Sequence, residues 1–268
     1  MSHVDAPFAL SHEERESFIH NGFIGPFRVY DRDEAKAMWR EIRARTNDRS
    51  KAIFPETPIN YDRHFDVSHL SRHVGRPEIV EKLQCLVGPD VFCWRTEFFP
   101  KYPGDAGTEW HQVESFSYAS GIPSLVPTVR REATPTELTV WTALSDVTTE
   151  TACMKFMPGS HKRWFYDEKR QMKQFHGRTA DSPFFGYSYD ELKLDPNWEP
   201  DESSAVHMEM TAGEAVIFTA RCMHGSLPNV SERDMRIGFA SRYVSTDVKI
   251  YPDQTEIVEH GQKLDLAL

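Results

Sequence analysis

The stretch Pro89-Asp90-Val91-Phe92-Cys93-Trp94-Arg95-Thr96-Glu97-Phe98-Phe99-Pro100 marks where the chain changes character. Val91 to Phe99 is rich in β-branched and aromatic residues and is closed by Pro100 and the turn Tyr102-Pro103-Gly104-Asp105, so it reads as a strand. Further strand-like runs follow. Glu137 to Leu144 (Glu-Leu-Thr-Val-Trp-Thr-Ala-Leu) alternates with period two, and Cys153 to Met157 stops at Pro158-Gly159-Ser160. Ala215 to Ala220 follows the turn Ala212-Gly213-Glu214, and Met235 to Ser245 alternates again.

Upstream of Pro89 the pattern is helical. Ser11-His12-Glu13-Glu14 is a capping box, and the helix it opens ends near Asn21-Gly22. Asp33 to Arg45 carries Ala37, Met38 and Ile42 among charges, an amphipathic pattern. Arg76-Pro77-Glu78 starts a third helix that ends at Val87-Gly88-Pro89. The expected fold is therefore mainly β: a double-stranded β-helix (jelly roll, cupin-like) with N-terminal helices packed on one sheet. The organisation expected is one domain over residues 1–268, with a mostly helical layer over 1–90 and a jelly-roll core over 91–250. Residues 163–203 form an irregular, aromatic-rich insertion that reads as a lid or binding loop.

Composition narrows the function. A chain of 268 residues with 39% hydrophobic residues, 6 Trp and 17 Phe can fill a globular core. No apolar run reaches the roughly 20 residues that span a bilayer, and Met1 to Asp5 lacks the pattern of a signal peptide. Cys85, Cys93, Cys153 and Cys222 have no CxxC spacing and read as reduced thiols of a cytoplasmic protein. A net charge of −10 argues against nucleic acid and anionic membranes as partners. The basic clusters Lys155 with His161-Lys162-Arg163, and Lys169-Arg170 with Lys173, read as solvated faces.

Thr108-Glu109-Trp110-His111-Gln112-Val113-Glu114 has the context of a His-x-Asp iron motif, and His224 in Cys222-Met223-His224-Gly225-Ser226 is the second candidate ligand. Two histidines and one carboxylate hold non-haem Fe(II) on one face and leave the other positions open. Here the carboxylate position is Val113, which cannot ligate. The adjacent Glu114 points to the opposite face of a pleated strand; only a shifted backbone lets it complete a triad.

The segments around these residues resemble a known family. Trp110-His111-Gln112, Met157-Pro158-Gly159-Ser160-His161 and Met223-His224-Gly225-Ser226 are similar to the phytanoyl-CoA dioxygenase superfamily. Within it the chain resembles the syringomycin-type aliphatic halogenases over residues about 90 to 260. That resemblance is carried by Glu97 to Gly104, Ala119-Ser120-Gly121, Thr139 to Ala143, Phe185-Gly186-Tyr187, Asn197 to Ser203 and Met235 to Val244.

The resemblance implies Fe(II), 2-oxoglutarate and O2 as cofactors, with chloride or bromide on iron where the carboxylate is absent. His111 and His224 are the implied iron ligands. Arg236 and Thr108, with Trp141, are the implied 2-oxoglutarate residues. Arg242 and Thr139 belong to the polar network around the halide, and Glu97, Phe99 and Phe185 line the substrate side. The implied reaction chlorinates an unactivated aliphatic carbon of a small molecule, an amino acid free or tethered to a carrier protein. Two positions depart from the pattern: Val113 stands where Ala or Gly is expected, and Tyr118 where a small amide is expected. Both crowd the halide position. The alternatives are a hydroxylase, desaturase or cyclase with the same cofactors, and a degenerate oxygenase fold kept as a binding module. His111, His224, Arg236 and Thr108 occurring together speak against the last.

Overall fold

The computed structural model describes residues 6–55, 60–118, 120–129, 134–172, 188–252 and 254, and the backbone of 256–259 and 262–265. Phe185, Lys173 and the centre of the expected insertion lie outside the described residues.

Four helices come first: α1 (His12–Asn21), α2 (Arg32–Thr46), α3 (Ser68–Val74) and α4 (Pro77–Val87). Ser11 and Glu14 cap α1 reciprocally, and Gly22 ends it at φ 86°, a left-handed conformation that suits glycine. Ala35, Met38 and Ile42 form the buried stripe of α2, and Ile79, Leu83 and Val87 that of α4.

The helical layer is interrupted by a strand, β1 (Phe23–Arg28), a β element in a stretch read from sequence as mostly helical. Gly25-Pro26 disguises it as a breaker. Proline fits because β1 is an edge strand with a register shift between Ile24 and Phe27, where a missing N–H costs no ladder bond.

The remaining strands are β2 (Val91–Lys101), β3 (Thr108–His111), β4 (Leu125–Pro127), β5 (Leu138–Ala143), β6 (Met154–Phe156) and β7 (Val206–Met208). After these come β8 (Glu214–Thr219), β9 (His224–Ser226), β10 (Arg236–Ser245), β11 (Val248–Ile250), β12 (Glu256–Glu259) and β13 (Gln262–Asp265). A five-stranded sheet runs β1-β8-β5-β10-β2 and a four-stranded sheet β3-β9-β6-β7. Two ribbons, β4 with β11 and β12 with β13, complete the pairing. All pairings are antiparallel. The architecture is mainly β, with a minority of helices.

Period-two alternation separates the faces of the larger sheet. Leu138, Val140, Ala215, Ile217, Ile237, Phe239 and Tyr243 pack with the helix stripes. Trp141, Ala143, Val216, Phe218 and Ala240 face the other way and pack with Cys153 and with Met154 and Phe156 of the second sheet. The site lies between the sheets, on that inner face. All four cysteines are free thiols. No helix among the described residues is long and apolar enough to cross a membrane.

Candidate active site

β3 and β9 pair so that His111 stands directly opposite His224. Their ring centroids are 4.1 Å apart. Glycine follows His224 for a steric reason. A Cβ on Gly225 would sit 2.6 Å from the Thr108 carbonyl oxygen, so only glycine lets the strands approach this closely.

Both histidines are oriented by the same device. His111 Nδ1 lies 2.9 Å from the Glu109 carbonyl oxygen, and His224 Nδ1 lies 2.7 Å from that of Cys222. A carbonyl only accepts, so each Nδ1 carries the proton and each Nε2 keeps its lone pair. Burial depresses His111 to about 4 and drives His224 well below the ordinary histidine value. Two neutral imidazoles with bare Nε2 atoms are the donor pair a divalent metal takes.

Among the described residues no third protein ligand joins the two histidines. Val113 is buried and lines the same cavity, in an apolar cluster with Trp110, Tyr118, Tyr189, Ala220 and Met223. Glu114 does not line it. Its backbone N–H donates to Glu168 and its carboxylate accepts from Thr136, so the pleat carries it away from the histidines. Among the described residues no three His, Cys, Asp or Glu side chains are grouped to hold a metal. The donor set fits a metal that takes its remaining ligands from small molecules.

One end of the cavity suits a carboxylate. Arg236 is 2% exposed; its Nη1 and Nη2 donate to the carbonyls of Ala152 and Phe99, and its buried Nε has no partner. The guanidinium lies 5.1 Å above the Trp141 ring. Thr108 Oγ1 accepts from the Ser226 hydroxyl at 3.1 Å, which leaves its own hydroxyl proton for the cavity. Arg236, Trp141 and Thr108 all line it.

Glu97 and Arg242 occupy the other side, paired at 3.1 Å. Thr139 lines the cavity and donates to Glu137, a buried carboxyl that burial raises to about 7. Phe99 and Tyr118 are on the wall. The residues singled out in the sequence thus converge on one cavity, apart from Glu114, which turns away, and Phe185, which lies outside the described residues.

Tyr189 is an addition. Its ring stacks on His111 at 4.2 Å and meets Tyr118 edge-to-face at 5.9 Å. Its backbone N–H donates to Glu109 at 2.7 Å, which ties the returning chain onto β3. Phe218, 4.6 Å from His224, packs against the second imidazole. Tyr189 belongs to the aromatic run Phe184 to Tyr189, but no spacing distinguishes it from its neighbours. Phe218 is one apolar residue in an apolar strand.

A family model described as Phytanoyl-CoA dioxygenase (PhyH) matches residues 18–238. The peroxisomal phytanoyl-CoA dioxygenase of Rattus norvegicus is 25% identical over 191 residues, 67% of this chain and 47% of its own length. That of Homo sapiens is 24% identical over 266 residues, 89% of this chain and 69% of its own. The chain thus spans about half of the rat protein and about two thirds of the human one. A solved structure described as CytC3 with Fe(II) and alpha-ketoglutarate superposes with a TM-score of 0.74 and 36% identity, covering 97% of this chain and 86% of that one. With a match over most of its length and a paired-histidine cavity between two antiparallel sheets, the chain belongs to the phytanoyl-CoA dioxygenase (PhyH) family.

Proposed function

We propose that this chain is an Fe(II)- and 2-oxoglutarate-dependent oxidase of aliphatic C–H bonds that uses O2 and places a halide, chloride or bromide, on the iron. One observation carries the reading: two neutral imidazoles meet in the cavity and the third protein position is an isopropyl group. His111 and His224 hold the metal through Nε2. Arg236, with Thr108, binds the distal carboxylate of 2-oxoglutarate through charge-assisted hydrogen bonds, and Trp141 supports the guanidinium from below. CytC3, described with Fe(II) and alpha-ketoglutarate, supports the same pair here.

Iron and 2-oxoglutarate together supply an oxidant able to take hydrogen from an unactivated carbon. The protein's own part is positioning and exclusion of water. Val113 contributes no charge, so an anion completes both the coordination and the charge balance. Arg242, paired with Glu97, acts as a positive charge on both histidines, with Thr139 as its cross-strand partner. The substrate is a small aliphatic molecule, an amino acid or a carrier-tethered aminoacyl group, and the product is its chlorinated form.

A second reading, hydroxylation or another C–H oxidation without halide, is favoured by one feature. The branched Val113 and the Tyr118 phenol fill the space beside the histidines. Succinate formed from 2-oxoglutarate in the absence of substrate separates the two. In the wild type it should depend on added halide, and in Val113→Asp, which restores a carboxylate, it should not. Succinate formation indifferent to halide in both proteins establishes the second reading.

A further inference from the structure

We propose that Lys101 is a positioning residue for the dicarboxylate: it stands behind Arg236 as a second positive group at the anion end of the cavity, and its charge is coupled to binding. The inference rests on the reading that 2-oxoglutarate is anchored at Arg236.

The geometry begins with strand register. Lys101 ends β2 and Arg236 begins β10, and the two are direct cross-strand partners. Both follow the inward-facing alternation, Glu97, Phe99, Lys101 on one strand and Arg236, Gly238, Ala240 on the other. Both are buried, at 8% and 2% exposure. Like charges directly opposite on antiparallel strands destabilise a sheet, and burial without a counter-ion adds to the cost.

Among the described residues neither cation has a carboxylate partner. Arg236 donates to the carbonyls of Ala152 and Phe99, and Lys101 Nζ donates to that of Ala106. Arg236 Nε has no acceptor. Around the pair, Asp105 in the turn after β2 and the Cys153 thiol are the titratable groups that act on it. A buried cation pair with no carboxylate in direct contact, at the end of a cavity, is poised for an anion from outside.

Lys101 does not line the cavity; it works through its neighbours. Its bond to Ala106 braces the segment that leads into Thr108, whose hydroxyl faces the same carboxylate. That segment is tightly fitted, since a Cβ on Gly107 would lie 2.7 Å from the Ser226 carbonyl oxygen. Burial and the Arg236 charge also lower the Lys101 ammonium to about 8. A dianion bound at Arg236 raises it again. As pH rises through about 8, binding therefore draws a growing fraction of a proton, up to one, from solvent onto the Lys101 amine.

The experiment uses the anaerobic Fe(II)-loaded protein. 2-Oxoglutarate is titrated in by calorimetry between about pH 7 and about pH 9.5, in two buffers of different ionisation heat, so that affinity and proton uptake are both read. In the wild type affinity should fall as pH rises through about 8, with proton uptake over the same range. Lys101→Met should bind about tenfold more weakly near neutrality, with a flatter profile and no uptake. Lys101→Arg keeps a charge that does not titrate. It should retain tight binding above that pH without proton uptake, which a purely structural role does not produce. If Lys101→Met does not fold, Lys101→Arg decides alone. Identical pH profiles and proton counts in wild type and variants overturn the inference and leave the anchoring at Arg236 intact. No binding of the dicarboxylate to any of the proteins overturns both.

Discussion

At the scale of single residues the site is made by what is small and what is missing. Gly225 lets β3 and β9 approach, and Val113 withholds a ligand. Gly238 is the third such position. A Cβ there would lie 1.8 Å from the Trp141 ring, so the indole occupies the room glycine leaves on the neighbouring strand. Gly238→Ala must drive that ring off the floor beneath Arg236. The expected cost is on the order of 1–3 kcal/mol, seen as a lower thermal midpoint together with weaker 2-oxoglutarate binding. An unchanged midpoint and affinity would show that the ring does not need this place.

At the scale of elements, those the sequence made legible are the ones whose pattern is local. The capping box of α1, the Pro77 start of α4, the β-rich run of β2, the turn before β8 and the alternation in β5 and β10 were readable because each signal is local in the chain. β1 was not, because Gly25-Pro26 reads as a break until the neighbouring β8 shows it to be an edge. The short strands β3 and β9 were hidden too, being brief and polar. Their pairing is what sets His111 opposite His224, so the two ligands were legible as residues but their register was not. Glu114 illustrates the limit well. Adjacency to Val113 made it a candidate, and its hydrogen bonds to Glu168 and Thr136, from distant parts of the chain, hold it away. Tyr189 reaches His111 only through the Glu109 clasp, a contact no periodicity encodes.

At the scale of the whole molecule, the helices back one sheet and leave the space between the sheets for chemistry. That backing includes buried neutral histidines. His73 is depressed to about 3 and His64 to about 4, chiefly by burial, against an ordinary value of 6.5. His73 is bonded at both nitrogens, to Tyr30 and Thr142. Such groups contribute stability that is present above pH 6.5 and is lost as pH falls through those depressed values. Urea midpoints of the metal-free protein should therefore drop on acidification over this range, and less so in His73→Gln. An acid limb equally steep in the variant would contradict the assignment.

The same enclosed interior makes the occupancy of the third metal position the central question. The most direct measurement is the visible charge-transfer band formed anaerobically from Fe(II), 2-oxoglutarate and the protein, recorded with and without chloride or bromide. A band that shifts, or forms at lower Fe(II), when halide is added is the predicted result, because the anion then sits on iron beside Val113. A band that forms fully and is indifferent to halide contradicts it.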